Sequence, residues 1–230
     1  MNKIRKTMFH SIILKHLLLI NYTFNLSSII IITRQSFIQS SNAIASIFFS
    51  SHAELLSSIP IHSLRSQNIT SVSFYGDDGM RVIQPNAFCE CTSLTDIALP
   101  DTVTEIGSRA FYRCKSLSSL HLPASIRKIS VQAFYFCTFP ELELPESLEV
   151  LEDSAFFKCV NLAWIRLPEN VRYIGKWAFH GCNRLQYLEV RHDPEFIGEW
   201  IINRATTVRC YQGSKMDRYC RENGFQVEYL

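Results

Sequence analysis

The chain has 230 residues and a formal net charge of +2 at pH 7, which is enough for one domain of ordinary size or two small ones. Apolar residues make up 47% of the sequence and charged residues 19%, and this composition excludes a chain that is disordered over its whole length. The near balance of charge disfavours a dedicated nucleic-acid binder, which usually concentrates basic residues, so no nucleic-acid partner is expected.

Residues 1–66 differ in composition from the rest of the chain. They contain six basic residues against the single acid Glu54, they lack Gly and Asp, and they are rich in Ile and Ser. Such a break in composition indicates a boundary between two kinds of segment. We therefore predict an N-terminal leader over 1–66, which is a signal, an anchor or disordered, and a folded domain over 67–230.

The leader carries some marks of export. A basic start at 2–6 and an Ile- and Leu-rich stretch over 12–32 are typical of a signal peptide or anchor, although Lys15 interrupts a clean membrane span. Ala43-Ile44-Ala45 fits a cleavage site that would make Ser46 the first residue of the mature chain. We expect a secreted or cell-surface protein, with the cytoplasm as the alternative.

A repeat of about 23 residues runs through the predicted domain. Each unit has an Ala-Phe pair, a Cys three residues after the Phe, a Leu-x-x-Leu-x-Leu-Pro pattern, and then two aliphatic residues three apart. The Phe residues recur at intervals of 23, 23, 22 and 23, and the aligned pairs are Phe88 with Cys91, Phe111 with Cys114, Phe134 with Cys137, Phe156 with Cys159, and Phe179 with Cys182. A period of 20–29 residues with this leucine pattern predicts a leucine-rich repeat solenoid.

The spacing within a repeat predicts its local structure. The Leu-x-Leu core alternates with period two, so it forms a short strand with both apolar residues inward, and the Pro that follows ends the strand. The aliphatic pair and the Ala-Phe pair suit a short helical or 3₁₀ stretch on the opposite side. Because one coil cannot bury its own apolar face, coils stack into one parallel sheet. We predict an α/β solenoid, a right-handed superhelix of about five to six repeats of 22–25 residues.

The repeat weakens at both ends of the domain. One earlier coil fits over 69–83 if two residues are inserted. At the other end, we predict a cap that begins at about residue 203 and contains a last strand near Val208. A short helix should start at Ser214, in a motif like a capping box, and stop before Gly224, with a final alternating strand after it. Such an atypical unit covers the apolar end of a repeat array.

The repeat motif is similar to that of a known family. Leu-Pro-x-x-Val-x-x-Ile-Gly-x-x-Ala-Phe-x-x-Cys-x-x-Leu resembles the BspA-like leucine-rich repeat family, a bacterial surface-antigen type that also occurs in some protists. Segments 99–117 and 167–185 are close to this pattern, and the tail 213–229 resembles the family's C-terminal ending. The resemblance covers roughly 69–230. It implies the leucine-rich repeat fold and a role in binding or adhesion.

The eight Cys residues are explained mainly by the repeat. Five of them share one repeat position, which predicts a buried ladder of thiols rather than a metal or redox site. Cys89 is close to Cys91, but Cys91 already belongs to the ladder. Cys210 and Cys220 lie in the predicted cap, and the sequence leaves open whether they form a disulfide, which would need an oxidising compartment. We predict no catalytic, cofactor or metal site.

The outward positions of the predicted strands supply the candidate binding residues. Trp164 and Tyr187 occupy the same column on consecutive coils and should lie side by side. Exposed aromatic residues beside Arg are the types that anchor interfaces, although the column could instead be covered by the chain's own C-terminal unit. The predicted partner-binding residues are Trp164, Arg166, Tyr187, Glu189, His121 and Glu143.

These features predict a non-catalytic binding or adhesion module that recognises a protein or glycan through the sheet face. One alternative is a structural module that associates with copies of itself. An enzyme that uses a Cys or His is less favoured, because the sequence contains no catalytic motif. No cofactor is expected, and membrane contact is expected only through the leader if it is an anchor.

Overall fold

The computed structural model describes residues 45–50, 69–75 and 80–230. The remaining parts of the predicted leader lie outside these ranges. Strand β1, Ala45–Ser50, falls within the segment assigned to the leader and pairs in parallel with β2, Ile69–Tyr75. The sheet therefore extends one strand further toward the N-terminus than the repeat pattern predicts.

One side of the solenoid, which we call the leucine face, is built from the Leu-x-Leu segments. Its parallel strands form a three-stranded sheet, β1-β2-β4, and a four-stranded sheet, β13-β12-β10-β8. The coils between these sheets contribute a single parallel bridge between Ala98 and His121. The bounds are β4 Asp96–Ala98, β8 Trp164–Leu167, β10 Tyr187–Val190, β12 Thr207–Cys210 and β13 Gln226–Tyr229.

A second side, the valine face, carries its own parallel sheet of two-residue strands in the order β11-β9-β7-β6-β5-β3. These strands are β3 Val82–Ile83, β5 Glu105–Ile106, β6 Lys128–Ile129, β7 Val150–Leu151, β9 Tyr173–Ile174 and β11 Phe196–Ile197. The leucine-rich repeat solenoid is thus confirmed, but it has more than the one sheet expected. In each repeat the two aliphatic residues that lie three positions apart, such as Ile126 and Ile129, belong to a tight turn and the strand after it. They do not belong to a helix. In that turn the Ile126 N–H donates to the Pro123 carbonyl over 3.1 Å.

The third side, the turn face, consists of the Ala-Phe segments, which form turns where short helices were expected. In a typical coil the N–H groups of Arg109, Phe111 and Arg113 donate to carbonyl oxygens of the next coil at 2.7–2.9 Å. Arg109 and Arg113 have φ values of 57° and 60°, in the left-handed region. This conformation costs about 1–2 kcal/mol per residue for a non-glycine side chain, and the bonds between coils offset that cost.

A column of stacked rings forms the centre of the core. Neighbouring Phe rings have centroids 5.1–5.4 Å apart and nearly parallel planes, in the series Phe88, Phe111, Phe134, Phe156 and Phe179. All five side chains are buried. The repeat that is one residue short is accommodated by Phe139, whose ring meets those of Phe134 and Phe156 edge-on at 6.0 and 6.2 Å.

The predicted thiol ladder lies beside this column and is confirmed. Each Sγ donates to the carbonyl oxygen of the Phe in the preceding coil at 3.1–3.2 Å, and the donors are Cys114, Cys137, Cys159 and Cys182. Burial raises the pKa of the Cys114, Cys137 and Cys159 thiols well above the usual range. These thiols are therefore neutral hydrogen-bond donors at neutral pH, which is the form that each bond to a carbonyl requires.

The C-terminal cap agrees with its prediction. Helix α1, Lys215–Asn223, begins at Ser214, whose Oγ accepts from the N–H of Asp217 over 3.1 Å, and it ends at Gly224 with φ 70°. The Asp217 carboxylate accepts from the N–H of Gly213 over 2.7 Å. In a capping box it would accept from the N–H of Ser214, which is one residue later. Its ion pair with Arg221 is the largest influence that lowers the pKa of Asp217.

The cap also covers the apolar end of the coils. Met216 and Cys220 of α1 are fully buried, as are Ile201 and Ile202 of the last coil. The Ile201 N–H donates to the Tyr219 hydroxyl of α1 over 3.2 Å. Cys210 and Cys220 are both free thiols, and burial raises the pKa of Cys220 to about 12. The terminal unit is therefore held by packing and hydrogen bonds.

The stacked Phe column makes a prediction about stability. Phe134→Ala should lower the free energy of unfolding by about 3–5 kcal/mol, because it leaves a cavity in the middle of the column. Phe136→Ala is a matched control, since this ring lies two residues away and is only half-buried. Urea denaturation of both variants measures the difference. Equal losses for the two variants would show that the ring column does not form the core.

The thiol ladder makes a prediction about reactivity. Cys89 is half-exposed and the other seven Cys residues are buried, so a thiol reagent should label one site quickly in the native protein. The other sites should react only at the rate at which the fold opens, because a buried thiol is inaccessible to the reagent. Cys89→Ser should remove the fast phase. A buried thiol that reacts faster than Cys89 would contradict the ladder and would favour an enzyme.

Candidate functional site

The strand register brings the predicted aromatic pair together on the leucine face. Strands β8 and β10 pair in parallel, with Trp164 opposite Tyr187 and Arg166 opposite Glu189. Adjacent strands lie about 4.7–4.9 Å apart, so the two aromatic residues are side by side. This adjacency was expected from the repeat alone and is confirmed.

The two aromatic residues differ in their exposure to solvent. The Trp164 side chain is 43% exposed, and Tyr187 is half-buried. The Arg209 guanidinium, from β12, lies over the Tyr187 ring at 4.1 Å from its centroid. Trp164 is therefore the more accessible of the pair, and Tyr187 is fixed in place by a cation–π contact.

The predicted charged residues are engaged in ion pairs within the chain. Arg166 pairs with Glu146 at 2.9 Å, which leaves the guanidinium exposed at one side. Glu189 is only 6% exposed and pairs with Arg191 at 2.7 Å. Its carboxylate thus orients Arg191 and presents little surface of its own. Along this column the charges alternate over neighbouring strands in the order Arg166, Glu189, Arg209 and Glu228.

The two remaining predicted residues lie on earlier coils of the same face. His121 is exposed at the isolated bridge to Ala98. Glu143 is also exposed, in a segment with no assigned strand. Both residues therefore lie where the leucine face has little regular strand pairing.

Some residues that shape this face were missed in the sequence. Arg209 and Glu228 form a 3.0 Å ion pair beside Tyr187, and they occupy the outward column of the two last strands. The alternating pattern at Val208-x-Cys210 marked Arg209 as outward-facing. What the sequence could not show is that its long side chain reaches back over the ring of the preceding coil.

A second aromatic array, on the turn face, was also missed. The residue after each of four core Phe residues is also a ring, in the series Tyr112, Tyr135, Phe157 and His180. The centroids of neighbouring rings in this series are 4.9, 4.9 and 5.8 Å apart, and the rings are stacked. Beside this series, Trp177 and Trp200 are 43% and 41% exposed. The signal was available, because these positions recur with the same period as the core Phe residues.

Groups of metal-ligating side chains and membrane-spanning helices are both absent from the described part of the chain. Within residues 45–50, 69–75 and 80–230, no three or more His, Cys, Asp or Glu side chains are grouped so that they could hold a metal ion. Over the same ranges, no helix has both the length and the apolar composition needed to cross a membrane.

Comparison with known proteins supports the fold. A leucine rich repeat protein from T. pallidum is similar with a TM-score of 0.54 and 22% identity, over 84% of this chain and 94% of that chain. A leucine-rich repeat protein from Bacteroides ovatus has a TM-score of 0.53 and 19% identity, over 84% of this chain and 56% of that chain. A search of curated proteins finds no match.

The repeat itself matches a family description. Residues 81–209 match six copies of the BspA type leucine rich repeat region, and this range is more than half of the sequence. The chain therefore belongs to the BspA-type leucine-rich repeat family.

Proposed function

We propose that this protein is a non-catalytic binding module that recognises a protein or glycan through the leucine face around Trp164. The observation that carries the proposal is the exposure of Trp164, 43%, on a strand paired in regular register with β10. A large exposed aromatic ring contributes much apolar area when a partner covers it. Leucine-rich repeat proteins are commonly protein-interaction modules, which is consistent with this proposal.

The surroundings of Trp164 are preorganised. Its backbone is fixed by the pairing of β8 with β10, and the neighbouring Tyr187 ring is held under Arg209 at 4.1 Å. Arg166 is positioned by Glu146 at 2.9 Å and keeps exposed donors for a carboxylate or hydroxyl group. A partner would therefore lose little free energy in ordering these groups, because they are already ordered.

The state of the thiols supports a non-catalytic role. A nucleophilic Cys needs a lowered pKa, whereas burial raises the pKa of Cys114, Cys159 and Cys210. The ladder thiols are also hydrogen-bonded to backbone carbonyls inside the core. Surface display is part of the proposal, and it rests on the basic, Ile-rich leader and on the family to which the chain belongs.

The direct test substitutes Trp164 in the full chain. Extracellular proteins and glycans from the native environment are screened, and Trp164→Ala should weaken a genuine partner about 30-fold, equivalent to about 2 kcal/mol. The melting temperature should stay nearly unchanged, because the ring is exposed. Trp177→Ala is the matched control, since Trp177 is also 43% exposed but lies on the turn face.

The comparison of these two variants decides the placement of the site. Loss of binding in Trp164→Ala alone supports the leucine face. If Trp164→Ala instead lowers the melting temperature and spares binding, Trp164 is a packing residue. Equal losses in both variants would likewise rule out this face as the anchor.

A further inference from the structure

Charge is unevenly distributed between the turn face and the other faces. The turn face comprises the segments 85–92, 108–115, 131–138, 153–160, 176–183 and 199–204. Its six basic residues are Arg109, Arg113, Lys115, Lys158, Lys176 and Arg204, and its three acidic residues are Glu90, Asp153 and Glu199. The rest of residues 80–230 has eleven basic residues against fifteen acidic ones. The turn face is thus a net positive side on a part of the chain that is otherwise net negative.

The acidic residues of this face are partly neutralised. The Asp153 carboxylate accepts from the N–H of Lys176 over 3.0 Å and lies 3.8 Å from its ammonium group. Glu90 lies 3.8 Å from the Arg113 guanidinium. Each pair also occupies one cation of the face, so its net charge of +3 comes from the four other cations against Glu199.

These cations are placed beside aromatic rings. The Arg109 guanidinium lies 4.3 Å from the centroid of the Tyr112 ring, and the Lys158 ammonium lies 5.1 Å from that of Phe136. Lys176 and Arg204 lie 5.2 and 5.6 Å from the rings of Trp177 and Trp200. Over five coils, roughly 20 Å at the usual strand spacing, the face combines half-exposed rings with basic side chains.

The stacking of the rings restricts what can bind. Tyr112, Tyr135 and Phe157 lie face to face at 4.9 Å, so their faces are occupied by one another. Nucleic-acid bases stack on free ring faces, and this series does not offer them. An added peptide strand needs unpaired backbone groups, whereas the N–H groups of this face already bond to the next coil.

A lipid surface has different requirements, which the turn face meets. Tyr and Trp concentrate at the level of the lipid headgroups, with an apolar ring body and a polar tip, and Lys and Arg are attracted to anionic lipids. Binding of this kind needs no pocket. We propose that the turn face docks on a membrane surface that contains anionic lipids. The sequence pointed to membrane contact only through the leader, so this is a second and separate mode of contact.

The test uses the full chain, whose three Trp residues are Trp164 on the leucine face and Trp177 and Trp200 on the turn face. In Trp164→Phe, fluorescence reports only Trp177 and Trp200. Vesicles whose acyl chains carry bromine should quench this emission when they contain phosphatidylcholine with phosphatidylserine, and should not when they contain phosphatidylcholine alone. The double variant Trp177→Phe with Trp200→Phe reports only Trp164 and should not be quenched. Binding by the leader alone quenches neither variant.

A charge reversal tests the electrostatic part. Arg113→Glu with Lys158→Glu should weaken partition to the anionic vesicles at least about tenfold. Glu is tolerated at these left-handed positions, because Glu90 occupies the equivalent site with φ 61°. Arg127→Glu with Arg172→Glu makes the same change in net charge on exposed residues outside the turn face and should leave the quenching unchanged. Melting temperatures confirm that each variant is folded.

Three outcomes would overturn the proposal. The first is absence of quenching in Trp164→Phe, and the second is equal quenching of the variant that retains only Trp164. The third is binding to heparin that depends on Arg113 and Lys158 without any quenching by vesicles, which would assign the face to a sulfated glycan. The proposed function is tested separately, because its readout is the binding of a protein or glycan to Trp164→Ala rather than quenching by vesicles.

Discussion

The structure depends on the hydrogen bonds that join each coil to the next at the same repeat position. On the turn face three N–H groups of one coil donate to three carbonyls of its neighbour, and the thiol ladder adds a bond inside the core. Unpaired backbone groups in a dry core are costly, so this pairing holds equivalent positions of neighbouring coils in register. The short repeat keeps its turn-face bonds, because the N–H groups of Gln132, Phe134 and Phe136 donate to the next coil at 2.8–3.0 Å. The Phe139 ring packs against the neighbouring rings of the core column.

This register determines the surfaces as well as the core. A residue type that recurs at one position becomes a column, with its members one strand spacing apart. The core Phe column, the outer aromatic series on the turn face and the alternating charges of the leucine face all arise in this way. The binding surfaces proposed for this protein are therefore products of the repeat, and no folding of distant segments onto one another is needed to assemble them.

The sequence was sufficient for features that depend on periodicity. The inward Phe and Cys positions, the pairing of Trp164 with Tyr187 and the helix between Ser214 and Gly224 were all predictable. The strands of the valine face were not, because a turn followed by two strand residues gives the same spacing as a helical turn. The reach of Arg209 over Tyr187 was also inaccessible, since it depends on side-chain conformation rather than on spacing.

Removal of one whole coil tests the register most directly. Deletion of residues 111–133 joins Ala110 to Phe134 and removes one period, so each remaining coil keeps an equivalent neighbour. The deleted chain should retain the circular dichroism spectrum and a cooperative urea transition, with a smaller m-value because less surface is buried. Deletion of residues 111–122, about half a coil, should abolish the transition. If both deletions unfold the protein equally, the coils are not interchangeable units and the account is wrong.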